Sequence, residues 1–376
     1  MITLRVIVDE VLSPTPNSIS RYAEDLTRAL IATAPAGCSV EGIVAASTEA
    51  EYANLLERLP GMTLFKSGLA RRELASAWSH GFTWMPGMIH APSLLAPLSR
   101  HDRLNTPGRQ TVVTLHDVNA WVHPDSKEAR GSSWYRAMAK RAYKYADALV
   151  VPSHAVAERL TEFLDFGERV RVIGGAVAST LKVPFDAAAR ANRLALPNDY
   201  LVAIGGLDER RGMDLLLTAL ADKASGDIPL LVVGPDDGGS GSIHKAVLEA
   251  GLPAERVTTL GYLDDANLSV VLDRATALVL PSRIEGFGLP LLEAFHFGTP
   301  VIHSDAPALV EVAGGAGLAV PIENESDFPH RLAEAIASVA GDSAHAVKLG
   351  VFGRDRASLF GWDTSAEKVW QLHADL

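Results

Sequence analysis

Residues 277–305 read ALVLPSRIEGFGLPLLEAFHFGTPVIHSD, and this stretch decides the fold. A short apolar run stops at Pro281, helical spacing takes over near Pro290, Gly298 and Pro300 punctuate its end, and a second apolar run follows at once. That is strand, loop, helix, strand, a unit whose two strands run parallel because a helix crosses back between them. Pro290 suits the first helical turn, where its missing amide hydrogen would have no intrahelical partner. Residues 284–289 then form the connecting loop. Gly286 and Gly288 let its backbone come close to a ligand, and the amides of Phe287, Gly288 and Leu289 are expected to face that ligand's oxygens.

The same rhythm extends outward in both directions. After residue 186 come strand-like runs at YLVAIGG, PLLVVGP and VTTLGYL, with helical spacing in MDLLLTALAD, IHKAVLEAG and LSVVLDRA. Before it, LRVIVD, VEGIVAA, MIHAPS, QTVVTLHD, ALVVPS and VRVIGG alternate with SRYAEDLTRALIATA and WYRAMAKRAYKYA. Short apolar runs alternating with amphipathic helices specify α/β architecture with doubly wound parallel sheets. A chain of 376 residues exceeds one ordinary core, so two Rossmann-like domains are expected. They are placed at 1–185 and 186–359, with ASTLKVPFDAAARAN as the linker and the amphipathic segment 360–376 returning to pack on the first domain. In such folds ligands bind beyond the carboxyl ends of the strands, in a cleft where loops meet helix N-termini.

Composition excludes several classes. Cys38 is the only cysteine, so no intrachain disulfide framework exists. The opening MITLRVIVDEVL lacks the basic start, long apolar middle and cleavage site of a signal peptide, and no apolar run reaches the length of a membrane span. A cytoplasmic protein is expected. Net charge is −11, divided as +2 over residues 1–185 and −13 over the remainder. No basic stripe is interleaved with base-stacking aromatics, so nucleic acid is not an expected partner. The less acidic first half leaves an anionic membrane surface open as a peripheral contact. Arg136, Lys140 and Lys144 recur at every fourth residue beside Trp134 and Tyr135, a stripe that reads first as a solvated helix face.

Within the quoted stretch, seven residues separate Glu285 from Glu293. Glu293 is expected in the first helical turn, where the helix dipole favours a carboxylate and where it can accept two hydrogen bonds from a ribose diol. Alone it would be an ordinary acid at a helix start. The whole pattern of strand, Glu, Gly, aromatic, Gly, Leu, Pro and second Glu is far more specific.

EGFGLPLLEA resembles the signature of retaining glycosyltransferases of the GT-B fold, in the large family 4 that includes many α-mannosyl- and α-glucosyltransferases. TVVTLHDVNAWVHPD is similar to that family's first-domain strand and HD loop, YADALVVPSHAVAERL to its AD-containing segment, and AIGGLDERRGMDLLLTAL to its phosphate-binding strand and loop. The resemblance covers nearly the whole chain. It implies that Glu285 contacts the transferred sugar near its 3- and 4-hydroxyls, with Gly286, Phe287 and Gly288 beside it, and that Glu293 holds the ribose. Arg210 and Arg211, with Gly288 and Leu289, would bind the diphosphate, whose charge grows as the glycosidic bond breaks. Arg211 stands where the family usually has lysine, and Gly206 where some relatives carry a further arginine. His116 would lie beside the transferred sugar as a catalytic group, and Asp117 would orient its loop.

The implied donor is a nucleotide diphosphate sugar, GDP-mannose slightly ahead of UDP-glucose on family frequency. The implied acceptor is a glycan or lipid-linked glycan, and the reaction needs no cofactor and no obligate metal. NSISRY stands where many relatives have GGIGRY, which makes Ser18 and Ser20 candidates for acceptor contact, or Ser20 the cap of a helix beginning at Arg21. Trp84, His90 and Ser93 are further acceptor candidates, although core packing is the better reading of Trp84 alone. Two rivals on the same architecture are a sugar-nucleotide epimerase, against which Glu285 and Glu293 stand, and a phosphorylase. The latter needs a pyridoxal phosphate lysine that Lys223, Lys245, Lys348 and Lys368 do not convincingly supply. A nucleotide-sugar-binding scaffold or inactive subunit is the rival from another class. A dinucleotide dehydrogenase is disfavoured, because no strand is followed by G-x-G-x-x-G.

Overall fold

The computed structural model describes residues 2–13, 17–82, 85–102, 105–106, 108–123, 129–234 and 242–376. Its strands make two sheets in which every observed pairing is parallel. The first contains β1 (Ile2–Ile7), β2 (Cys38–Ala46), β3 (Thr63–Ala70), β4 (Met88–Ala91), β5 (Gln110–Thr114), β6 (Ala148–Val151) and β7 (Val170–Val172), in the order β3-β2-β1-β4-β5-β6-β7. The second contains β8 (Leu201–Ile204), β9 (Leu230–Val233), β10 (Val257–Gly261), β11 (Ala277–Leu280), β12 (Val301–Ser304) and β13 (Leu318–Val320), in the order β10-β9-β8-β11-β12-β13.

Central strands are buried on both faces, as helix-covered parallel sheets require, and so their sequences run apolar without alternation. In β5, Val112 faces the layer containing Val369 and Trp370, while its neighbour Val113 faces the opposite layer with Trp78. β11 and β12 are likewise buried at every residue. Two edge strands escaped the sequence reading. β3 (TLFKSGLA) is exposed or half-buried throughout, and β13 is three residues long. An edge strand has one neighbour and little apolar surface to cover, so it carries neither an apolar run nor a clean alternation.

The chain divides into unit 1, Met1–Gly175 with Gly361–Leu376, and unit 2, Ala176–Phe360. The division falls earlier than residue 185 because Ala178 and Leu181 are buried in the core of unit 2. The terminal helix Trp362–Asp375 belongs to unit 1, where the Ser365 hydroxyl donates to the Gly174 carbonyl at 2.7 Å and the Trp370 indole N–H to the Leu30 carbonyl at 3.2 Å. Among the described residues, no helix is long and apolar enough to cross a membrane.

Candidate functional site

In unit 2 the candidate residues collect on two neighbouring loops, those following β8 and β11, because these strands pair directly. After β8 the chain makes a short 3-10 turn at Glu209–Arg211, capped by the Asp208 carboxylate, which accepts the Arg210 amide at 3.0 Å. Gly212 then enters helix Met213–Ala221 with φ 66° and ψ 26°, the left-handed region. A Cβ there would stand 2.1 Å from the Pro281 carbonyl oxygen, so only glycine lets this turn press against the β11 loop. The Arg283 amide completes the junction by donating to the Arg210 carbonyl at 2.8 Å.

The junction brings charge together. Arg211 Nη1 lies 3.6 Å from Glu285 Oε1, and the same oxygen accepts from the Ser282 hydroxyl at 3.1 Å. At 3.6 Å the ion pair is longer than the ~2.7–2.9 Å of a charge-assisted hydrogen bond, so the carboxylate holds the guanidinium nearby without bonding its N–H groups. The Arg211 stem crosses Gly205, where a Cβ would meet its Cδ at 2.4 Å. Arg210 is tied differently, its Nε donating to Asp208 Oδ2 at 3.0 Å.

Helix Leu289–Phe297 begins one residue before Pro290, with Gly288 as its N-cap at φ 88°. The amides of Phe287 and Gly288 take no part in the backbone hydrogen bonds of the described residues, and they precede the positive end of that helix. The Phe287 side chain packs edge-on against Phe360 at 5.9 Å within the core, so its backbone amide is the group that the donor reading concerns. The expectation for Glu293 is corrected here. Glu293 is the fifth residue of the helix and only 5 % exposed; no acid stands in the first turn, and the dipole argument for that position lapses.

The remaining candidates belong to unit 1. His116 follows β5, its Nε2 2.7 Å from the Pro92 carbonyl oxygen and its ring edge-on to Tyr22 at 4.8 Å. A carbonyl can only accept, so Nε2 carries the hydrogen and Nδ1 of the neutral ring is an acceptor. Burial lowers the pKa of this histidine against the opposing pull of Pro92 and Asp117, favouring the neutral form. Asp117 Oδ1 accepts the Asn119 amide at 2.9 Å, and its carbonyl accepts from the Tyr135 hydroxyl at 3.2 Å.

The NSISRY turn is a helix cap of a different register from the expected one. The helix is Ser18–Ala32, and Asn17 is its N-cap, with Oδ1 accepting the amides of Ile19 and Ser20 at 2.9 and 3.0 Å. Buried Ser20 closes the box from inside by accepting the Asn17 amide at 2.7 Å, while Ser18 is exposed. His90 and Ser93 are buried rather than presented to solvent: His90 faces His373 at 5.6 Å, and Ser93 Oγ accepts the Leu95 amide at 3.2 Å. Trp84 lies outside the described residues. The basic stripe is broken, because Arg136 donates to the Ala120 carbonyl at 3.1 Å while Lys140 and Lys144 stay exposed.

Each unit matches a family model. Residues 19–179 match Glycosyltransferase Family 4, and residues 198–342 match Glycosyl transferases group 1. The chain belongs to the family 4 glycosyltransferases. This glycosyltransferase is 26 % identical to the MMP alpha-(1->4)-mannosyltransferase of Mycolicibacterium hassiacum over 346 residues, covering 83 % of this chain and 80 % of that one. Its fold is that of the sucrose-phosphate synthase of Thermosynechococcus elongatus, with a TM-score of 0.75 at 24 % identity over 100 % of this chain and 99 % of the other. Anabaena HepE in complex with UDP-glucose aligns over the full length of both chains, with a TM-score of 0.72 at 18 % identity. Two Rossmann-like parallel-sheet domains of the GT-B class are thus this glycosyltransferase's architecture.

One residue of the site escaped the sequence reading. Arg283 stands between Ser282 and Glu285 and reaches from the β11 loop to Asp214 on the neighbouring helix and to Glu325 beyond β13. The local signal was a cation two positions before Glu285, and nothing near it in the sequence named its partners.

Proposed function

We propose that the protein is a retaining hexosyltransferase that moves a hexose, mannose ahead of glucose, from a nucleoside diphosphate sugar to a hydroxyl of a glycan or lipid-linked glycan. The observation that carries this reading is the meeting of Arg211 with Glu285 across the β8 and β11 loops, with Arg210 and the amides of Phe287 and Gly288 alongside. Cations and amide donors at one edge suit a diphosphate, and a carboxylate beside them suits sugar hydroxyls. The mannosyltransferase relative supports a mannosyl donor such as GDP-mannose, and the HepE complex supports UDP-glucose as the competing donor.

In this reading Arg210 and Arg211 act on the leaving diphosphate, where each fixed donor is worth about 2.7–4 kcal/mol to the transition state. They stand in for a metal, so turnover needs none. Glu285 orients the hexose through its 3- and 4-hydroxyls and Glu293 holds the ribose. The departing phosphate takes the acceptor's proton on the same face, which retains configuration and leaves the two carboxylates outside the acid and nucleophile roles of a hydrolase. His116, neutral with its Nε2 hydrogen on Pro92, accepts from a sugar hydroxyl through Nδ1.

The test is a calorimetric titration of the purified protein, without added metal, against GDP, UDP, ADP and their hexose conjugates. One preferred nucleoside diphosphate is expected, with affinity lost in Glu293→Ala. No binding to any of them overturns the donor assignment.

A further inference from the structure

We propose that Arg283 is the positioning residue of the donor half-site: its guanidinium pins three loops of unit 2 together and so sets where Arg211 meets Glu285. The inference rests on the donor reading above for what the pinning serves. A guanidinium has five N–H donors, and the structure places all five on protein acceptors. Nη1 donates to the Glu209 carbonyl at 2.7 Å and to Asp214 Oδ1 at 2.8 Å; Nη2 donates to Asp214 Oδ2 at 2.7 Å and to Glu325; Nε donates to Glu325 Oε1 at 2.6 Å.

An arginine so committed, with its side chain 15 % exposed, has no donor left for a ligand, in contrast to Arg211, whose ion pair with Glu285 is long at 3.6 Å. Its work is therefore holding. The held pieces are the turn Glu209–Arg211, the start of helix Met213–Ala221 through Asp214, its own loop after β11, and the segment between β13 and helix Phe328–Gly341 through Glu325. Arg283 also uses its backbone amide on the Arg210 carbonyl. Side chain and main chain thus grip the same turn from the same residue, two positions from Glu285.

The fork geometry is essential to this role. The Asp214 carboxylate takes both parallel N–H groups, and desolvation, which alone would raise its pKa, is outweighed by those bonds so that the carboxyl titrates below its ordinary value. Lysine keeps the charge but offers three donors from one point, and it cannot reach two carboxylates and a carbonyl together. Without the cation, Asp214 and Glu325 are left facing each other.

The experiment compares the intact wild-type chain with Arg283→Lys and Arg283→Met. The readouts are amide hydrogen exchange over residues 206–212 and 282–288 without ligand, the melting temperature, and kcat and KM for the donor. Exchange in both segments is expected to quicken about tenfold in both variants while distant segments hold. Turnover is expected to fall by roughly 10- to 100-fold, more than KM rises, because a displaced Arg211 costs most where leaving-group charge has developed. Unchanged exchange in both variants overturns the proposal, as does full rescue of exchange and turnover by lysine, which would reduce the residue to a charge. If wild type binds no nucleoside diphosphate, the donor reading falls and the clamp is judged on exchange alone. If Arg283→Met does not fold, Asp214→Asn and Glu325→Gln carry the same readouts, with about a three- to tenfold effect expected of each.

Discussion

Gly212→Ala tests the contact that assembles the donor half-site. Two costs are separable. At φ 66° and ψ 26° an L-residue sits in the left-handed region, which costs about 1–2 kcal/mol. The added methyl would also stand 2.1 Å from the Pro281 carbonyl oxygen. Real Cβ contacts essentially never fall under 3.0 Å, so the two turns must part. The obstacle is backbone and cannot rotate away, which places the change among overpacking substitutions at about 1–3 kcal/mol. Together the costs reach roughly 2–5 kcal/mol.

Gly251→Ala is the matched control, since Gly251 has φ 75° with nothing within 4 Å of its Cβ position and belongs to the same unit. It should show the conformational cost alone, about 1–2 kcal/mol. The assay is chemical denaturation of the two variants beside wild type, read on the same unfolding transition, followed by nucleotide titration. Gly212→Ala is expected to lose about 1–3 kcal/mol more than the control and to bind nucleotide more weakly, because parting the turns carries Arg211 away from Glu285. Equal shifts in stability, with equal nucleotide affinity, would refute the claim that close packing of these turns builds the site.

Glu285→Gln should lower turnover by about 100-fold with little change in affinity for free nucleoside diphosphate, whereas Glu293→Ala should weaken that affinity about tenfold or more; equal affinity losses would contradict the division of roles. Arg211→Ala should reduce kcat by about 100- to 1,000-fold while excess EDTA leaves the wild-type rate unchanged, and a rate that collapses in chelator and returns with a divalent ion contradicts the assignment. The buried pair His90 and His373 should make unit 1 acid-labile. Burial pushes His90 down to about 3 and His373 well below its ordinary value, so both are neutral when folded. Their folded pKa values lie below the unfolded value of about 6.5. The stability linked to each is therefore fully present above that pH and is lost as pH falls toward the folded value, by about 1.4 kcal/mol per pH unit and per histidine. His90→Leu should flatten the acid limb between pH 6 and pH 4.5 by that one-histidine slope, and an unchanged limb in denaturation midpoints speaks against it.

What could be read from the sequence follows from where each residue's neighbours lie along the chain. Central strands such as QTVVT and ALVL announce themselves because both faces are buried, and local composition must record that. Glu285, Arg210 and Arg211 were legible because each stands just after a strand of such a sheet. Arg283 was not, since the side chains that accept from it, Asp214 and Glu325, lie 69 and 42 residues away, and nothing in the sequence around Arg283 pairs it with either. Small displacements also had large consequences. Starting the helix at Leu289 instead of Pro290 moves Glu293 out of the first turn, and starting the other at Ser18 instead of Arg21 turns Ser20 from cap to partner of Asn17. His90 misled for a related reason: a polar residue at a strand end suggests a surface, yet β4 is central in its sheet and a helix from the far end of the chain covers it.

The glycines carry the larger lesson. Read alone, a glycine-rich loop at a strand end makes room for a ligand. Here the space beside three of them is already occupied by protein: the Arg211 stem at Gly205, the Pro281 carbonyl at Gly212 and the Leu309 side chain at Gly288. Two of those neighbours belong to the candidate site, one being the arginine itself and the other the first residue of the loop that carries Glu285. These glycines therefore fix the distance between cation and carboxylate rather than the distance to the ligand. Substituting one would act on turnover through geometry even where no ligand atom comes near it, and this is why the stability difference between Gly212→Ala and Gly251→Ala should be matched by a difference in nucleotide affinity.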